Sequence, residues 1–326
     1  MQKPLSFTIK EAIKMVDVAE KTKRVVQVGS QQRSSPEFIK AIELVRSGAI
    51  GHIEKIYAKV GDPPKPLDLP EMVVPNNLNW GLWLGPLNDP NIHYHSDLCP
   101  PISLDPPQNE ALWGAWRWYT ETGNGYTADW GAHMFDIAQA AIGMDGSGPC
   151  EVIPKGYNGA EYLTFKYQTG VVMTEQPYLE DYPTAQGIKF IGTDGWIEVA
   201  RGYIACSKAN LIPKEIAGTR PRQMSMEERR KMWEEMQKAA ERGGGNAFEQ
   251  RAEHMDNFYQ CVKSRKDPNA PIQVGASTAI ACCLGNMATE LKRPVKWNPA
   301  TKHFIDDPEA SKHRLMHYKY SRNYQL

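Results

Sequence analysis

The sequence predicts an α/β protein in which the closing elements of a doubly wound domain lead into a mainly antiparallel sheet. Three observations carry this expectation. Residues 9–48 run helix, strand, helix, the order of an α/β layer. Residues 150–199 hold five short β-rich runs punctuated by Gly, Asp and Pro, and strands in such succession pair antiparallel. Two amphipathic helical stretches, 246–265 and 275–291, follow. With 326 residues the chain has length for one large or two ordinary domains and for a substantial core.

The elements follow in order. Thr8-Ile9-Lys10-Glu11 is a capping box, and Ile9, Ile13, Val16 and Ala19 mark an apolar stripe over 9–22. Arg24 to Gly29 reads as a short buried strand that ends in the polar turn Ser30-Gln31-Gln32-Arg33. Ser35-Pro36 opens a second helix with Phe38, Ala41, Ile42 and Val45 at helical spacing, and Gly48 ends it. Residues 52–61 read as a strand. Residues 62–118 are irregular and rich in Pro, Asn and Trp, and a stretch of that length is usually functional. A helix is expected at about 129–142, then strands near 150–157, 161–167, 171–176, 187–191 and 196–199. Residues 225–242 form a charged helical run, most simply a solvated face, that Gly243–Gly245 breaks. Residues 291–325 are polar, without periodicity, and are expected to wrap over the surface.

Charge and cysteine usage narrow the class. The 38 basic and 38 acidic residues cancel, so nothing electrostatic favours nucleic acid or an anionic membrane as partner. The six cysteines are scattered without a C-x-x-C pair, which favours a reducing compartment and a cytoplasmic location. No run of 18 apolar residues exists. Nine Trp, 14 Tyr and 8 Phe suit a sugar-binding cleft but equally suit a core.

The chemistry concentrates in residues 123–136, Gly-Asn-Gly-Tyr-Thr-Ala-Asp-Trp-Gly-Ala-His-Met-Phe-Asp. On a helix Asp129, His133 and Asp136 lie at i, i+4 and i+7 and share a face. Two carboxylates and an imidazole there can bind a polyol and take a proton from it, and a neighbouring carboxylate can fix the imidazole's tautomer. The alternative is a helix start with acids near its positive end and a buried, satisfied histidine. Upstream, Trp116, Arg117 and Trp118, with Trp80 and Trp83, could stack on and hydrogen-bond a sugar, or could simply anchor the loop. Arg117 and Asp136 complete the expected substrate contacts. His93, His95 and Cys99 have ligand-like chemistry, and with Asp129 and His133 could suit a metal-dependent isomerase or lyase. Without H-E-x-x-H or C-x-x-C, no metal site is expected.

Several stretches together resemble the glucose–fructose oxidoreductase / inositol dehydrogenase (Gfo/Idh/MocA) family. Gln2-Lys3-Pro4 before a capped helix is similar to that family's Glu-Lys-Pro motif, and Val26-Gln27-Val28-Gly29 with Gln31-Gln32-Arg33 to the strand and turn that follow it. Residues 123–136 resemble its Gly-rich turn and catalytic helix. His254-Met255-x-Asn257-Phe258-x-x-Cys261 resembles its C-terminal helix, and Arg293-Pro294-Val295-x-Trp297 the tail beyond. The resemblance implies a Rossmann domain followed by an open mixed sheet with helices on one face. On that plan residues 1–50 are the C-terminal remnant of the dinucleotide-binding domain, 51–300 a substrate-binding and oligomerisation domain, and 301–326 a wrapping tail. It also implies NAD- or NADP-dependent chemistry at a secondary hydroxyl of a sugar or cyclitol, in homodimers or homotetramers. Carried over, Lys3 is the motif lysine, Asp129 the substrate-binding acid and His133 the acid/base. Lys3, Pro4, Gln31 and Gln32 fall at the nicotinamide end.

One departure stands out. A dinucleotide fold opens with strand, G-x-G-x-x-G/A and helix, then an acid about 20 residues on. This sequence begins at Lys-Pro, so an N-terminal truncation is expected, and with it weak NAD(P) binding by the chain as given. Gly123-Asn124-Gly125-Tyr126-Thr127-Ala128 matches G-x-G-x-x-A, but no apolar strand precedes it, so it reads as a decoy. Two other readings stay open. One is a glycoside hydrolase that oxidises its substrate transiently with bound NAD. The other is a non-catalytic sugar-binding subunit.

Overall fold

The computed structural model describes residues 1–99, 114–228, 230, 231, 235 and 246–321, with the backbone alone for 246–251. Nine strands among these residues form one open mixed sheet. They are β1 (Ile53–Lys59), β2 (Glu151–Ile153), β3 (Leu163–Lys166), β4 (Val172–Glu175), β5 (Gly187–Gly192), β6 (Gly195–Ala200), β7 (Tyr203–Cys206), β8 (Val295–Asn298) and β9 (His303–Phe304). Their order is β7-β6-β5-β1-β4-β3-β2-β8-β9. Only β1 and β4 run parallel, with Ile56 opposite Met173. Every other pairing is antiparallel.

Side-chain alternation sorts the two faces of this sheet. Ile56, Phe165, Met173, Phe190 and Ile197 are sealed on one, while Lys55, Thr164, Lys166 and Lys189 stand on the other. Helices cover the sealed face. The long helix Ile272–Leu291 is buried on nearly every side from Ile272 to Ala288, as a helix apolar all round must be. Helix α1 (Ile9–Thr22) packs along it, and the helix Gly131–Ala141 lies between it and α2 (Pro36–Arg46). Thr8 and Glu11 form the expected capping box, with Glu11 Oε2 accepting the Thr8 N–H at 2.8 Å. One contiguous core joins these helices to the strands.

Three expectations need correction. Residues 24–29 are not a strand but make one isolated bridge, Gln27 to Pro271. Their backbone groups are satisfied singly: Val28 N–H donates to Ala270 O at 2.9 Å and Gly29 N–H to Met1 O at 2.7 Å. Residues 291–325 do more than wrap the surface. Strand β8 extends the sheet beside β2, and Trp297 and Leu315 are fully buried. A three-residue alternation, Val295-Lys296-Trp297, is too short for periodicity to reveal. Strand β7 was likewise not expected. Of the charged run 225–242, most lies outside the described residues.

A buried histidine ties the second half to the first. His254 Nε2 meets Val28 O at 2.8 Å and Nδ1 meets Ser34 Oγ at 2.8 Å. Burial lowers its pKa from the usual 6.5, partly offset by the Val28 carbonyl.

Candidate active site

The site is built where the irregular connection returns to the core. Gly123 closes a turn so tight that a Cβ there would sit 2.6 Å from Arg117 O. Gly125, at φ +66°, would put a Cβ 2.4 Å from Pro64 N, so only glycine suits both the angle and the contact. A short helix, Gly125–Asp129, is followed after Trp130 by the helix Gly131–Ala141. His133 N–H donates to Trp130 O at 2.9 Å, an i→i−3 bond that tightens the junction. The uniform face expected for Asp129, His133 and Asp136 is thereby lost, and the three side chains go to different partners.

Asp129 meets Lys3. The Lys3 ammonium donates to Asp129 Oδ1 at 2.7 Å and to its carbonyl at 2.8 Å, across 126 residues of sequence. Arg117 Nε lies 3.7 Å from the same Oδ1. All three side chains are about one-fifth exposed, at 18%, 19% and 18% for Lys3, Asp129 and Arg117, so they line a surface a small molecule can reach. Burial lowers the Lys3 pKa; Asp129 opposes the shift, and Arg201 and Arg117 add to it. The Arg117 guanidinium lies over the Trp116 ring, 4.6 Å from its centroid.

His133 is 3% exposed, and its Nδ1 is sealed without a hydrogen-bond partner. Burial holds its pKa well below 6.5, and the charges of Lys3 and Arg201 push the same way. The imidazole is therefore neutral at neutral pH and can accept a proton. Among the described residues no carboxylate meets its Nδ1, and Asp129 is engaged by Lys3. The ring instead packs edge-on to Trp130, centroid to centroid 5.9 Å.

Asp136 does not join this group. It is fully buried and held by Arg33 Nε and Nη2 at 2.7 and 2.9 Å and by the Thr278 hydroxyl at 3.1 Å. Burial raises its carboxyl pKa against the pull of Arg33. Trp118 stacks flat on Tyr126 at 3.9 Å, and Trp80 on Trp83 at 4.8 Å, so these indoles anchor the connection. Pro4 and Gln31 are half-buried. Gln32 is fully buried, with Oε1 accepting from Arg201 Nε at 3.0 Å and Nε2 against Met134 Sδ at 3.9 Å. His93 bonds Asn91 O and Leu69 O, and no group of three metal-ligating side chains exists among the described residues.

Sequence reasoning missed Arg201 and Trp130. Arg201 follows β6, and its guanidinium lies 4.6 Å from the Trp130 centroid. No local spacing could reveal it, since Gln32 is 169 residues away.

No protein-family model matches the chain, and no curated protein does. Solved structures do. Levoglucosan dehydrogenase in complex with NADH and L-sorbose superposes with a TM-score of 0.53 at 14% identity, over 92% of this chain and 73% of its own. The same enzyme with NADH and levoglucosan gives 0.52 at 15%, over 90% and 72%. Aldose–aldose oxidoreductase from Caulobacter crescentus, solved with glycerol, gives 0.49 at 16%, over 90% and 70%. The chain therefore shares its fold with levoglucosan dehydrogenase.

Proposed function

We propose that this protein is an NAD- or NADP-dependent oxidoreductase acting on a secondary hydroxyl of a sugar or cyclitol, with Lys3, Asp129 and His133 as its working groups. One observation carries the reading: a lysine from the chain's start and an acid from its middle meet at 2.7 Å beside a buried, neutral imidazole. A bound nicotinamide would supply the hydride acceptor. Lys3, Pro4 and Gln31, each partly exposed, suit its nicotinamide end. Gln32 does not, because both ends of its amide are committed inside the protein.

The residues divide the remaining work. His133 takes the hydroxyl proton, because it is neutral and unprotonated. The Lys3 ammonium faces the developing alkoxide and stabilises it, most strongly in so desolvated a setting. Asp129 holds Lys3 in place and accepts a substrate hydroxyl. Arg117, laid on Trp116, donates to a second hydroxyl.

Assembly and location belong to the same proposal. The sheet face opposite the helices carries half-buried Tyr57, Ile153, Ile191 and Trp196 among polar residues, and we assign it to a homodimer or homotetramer. Light scattering showing a monomer at micromolar concentration would oppose that. The six free cysteines suit a reducing compartment, and no helix of the described residues is long and apolar enough to cross a membrane.

The test is net reduction of NAD or NADP with a panel of sugars and cyclitols, measured on the longest natural form of the chain. At least one substrate should give reduced nicotinamide stoichiometrically. A glycosidase that recycles its cofactor would release sugar without accumulating any. A folded protein that reduces neither cofactor with any substrate would overturn the reading.

A further inference from the structure

Two buried asparagines grip the backbone of this site. Asn124 lies between Gly123 and Gly125, so it carries the side chain of the tight turn. An asparagine just before a helix ordinarily caps it. Here the side chain makes no bond to its own helix, Gly125–Asp129. Its Nδ2 donates instead to Phe7 O at 2.9 Å, 117 residues away. Asn286 stands in the helix Ile272–Leu291 and is 1% exposed. Its Nδ2 donates to Asn124 O at 2.8 Å. Both partners are carbonyls, which only accept, so the amide nitrogens must be the ends that face them. The other ends are left over: Oδ1 of Asn124 and Oδ1 of Asn286 are sealed without a donor among the described residues. A buried acceptor left unpaired weakens a fold, so stability does not account for either amide.

The two bonds join the segments that carry the working groups. Lys3 lies four residues before Phe7, and Asn124 five before Asp129. The two segments therefore meet at both ends, Phe7 with Asn124 and Lys3 with Asp129 Oδ1 at 2.7 Å. So short a stretch leaves little slack between the meetings, and Leu5 within it is buried in the core. Asn286 ties the turn to the core helix. One turn earlier on that helix, Cys283 Sγ lies 3.6 Å from the same Phe7 O.

We propose that Asn124 and Asn286 are positioning residues: their relay from the core helix through the glycine turn to Phe7 sets the Lys3 ammonium against Asp129. That Lys3 acts in turnover rests on the oxidoreductase reading, whereas its placement does not.

Two variants break the relay at different points. Asn286→Leu removes one donor at similar volume, and Asn124→Ala removes the other from a side chain that caps nothing. Both are compared with the wild type in the longest natural form of the chain, with melting temperature checking the fold. The first readout is zero-length cross-linking by a water-soluble carbodiimide, which joins an amine only to a carboxylate in contact with it. Mass spectrometry measures the Lys3–Asp129 product against the Lys166–Glu151 pair, 2.8 Å apart and elsewhere in the sheet. Each variant should lose the Lys3–Asp129 product severalfold and keep the reference. The second readout is turnover with D-glucose, myo-inositol and related sugars. There kcat should fall roughly ten- to hundredfold, the scale for a displacement of about 1 Å, with KM within about threefold. Asn286→Leu should keep or raise the melting temperature, because it also removes an unpaired buried oxygen. The double variant should lose no more than the worse single one, since one relay is broken either way.

Wild-type cross-linking in a folded variant overturns the proposal. So does early melting with unchanged cross-linking and kcat, which marks a merely structural role. A lost cross-link with unchanged kcat upholds the placement and removes Lys3 from the mechanism. If no form reduces NAD or NADP with any sugar, the oxidoreductase reading falls, and the cross-link alone decides the placement.

Discussion

Two ion pairs tie the first 33 residues to the segment 129–136, and they differ in their cation and in their burial. Lys3 with Asp129 and Arg33 with Asp136 each join a cation from the chain's start to an acid seven residues from the other. The first pair is 18% and 19% exposed, the second 9% and 1%. Around Asp136 the lone pairs are filled by Arg33 and Thr278. Around Asp129 the partners are a lysine ammonium and a more distant arginine. Ion pairing thus yields a closed clamp where water is excluded and a part-exposed pair at the proposed site. Burial and the paired donors of the arginine together separate the two.

The clearest way to break that contrast is Asp136→Ala. It leaves the buried Arg33 cation with only the more exposed Asp145 carboxylate at 3.0 Å and should cost about 3 kcal/mol, the lower end for a broken buried pair, read by equilibrium urea unfolding. Asp129→Asn should cost within about 1 kcal/mol, as for part-exposed pairs, while lowering turnover. If the two variants lose stability equally, the contrast is wrong.

His133→Asn sharpens it from the side of chemistry. Turnover should fall by roughly 10²–10⁴, the range for a lost general acid/base, with little change in melting temperature. Wild-type turnover would remove His133 from the mechanism.

Acid supplies a third test. His133 and His254 both titrate below 6.5 in the folded protein because they are buried. As pH falls through about 6.5, the unfolded chain takes up protons that the folded one refuses. Stability should therefore be full above that pH and decline beneath it, by up to about 1.4 kcal/mol per pH unit for each imidazole. Unfolding free energies at stepped pH should show this slope, and His254→Gln should lessen it. A flat profile between pH 7 and 5 would contradict the burial argument.

Arg117→Ala carries the smallest expected effect. It should raise KM or lower kcat severalfold and leave the melting temperature nearly unchanged. A protein that melts early but keeps its kinetics would make Arg117 an anchor of the connection.

Much of this architecture was readable from local patterns. The capping box at Thr8, Pro36 at a helix start, and the alternation of β1 and β3 to β6 each act within a few residues, so spacing reveals them. What escaped lies in partners far apart in the chain. Asp136 sits at a spacing as good as that of His133, and only Arg33 and Thr278, 103 and 142 residues away, decide its role. Residues 24–29 have the composition of a strand, but a strand also needs a neighbour along its length. Arg201 belongs to the site through Gln32 and Trp130, which no window of sequence contains.

The parallel seam between β1 and β4 has an evolutionary reading. The sheet is two antiparallel halves meeting along one line, and between β1 and the helix Gly125–Asp129 the described residues 60–99 and 114–124 add no strand to either half. Insertions there leave every strand register intact, and doubling the length of a flexible connection adds only about 0.6 kcal/mol of closure entropy. The stretch that carries Arg117 and the Trp-rich segment can therefore be rewritten in descendants of this gene while the scaffold holding Lys3, Asp129 and His133 stays fixed. New substrates are within reach without a new fold.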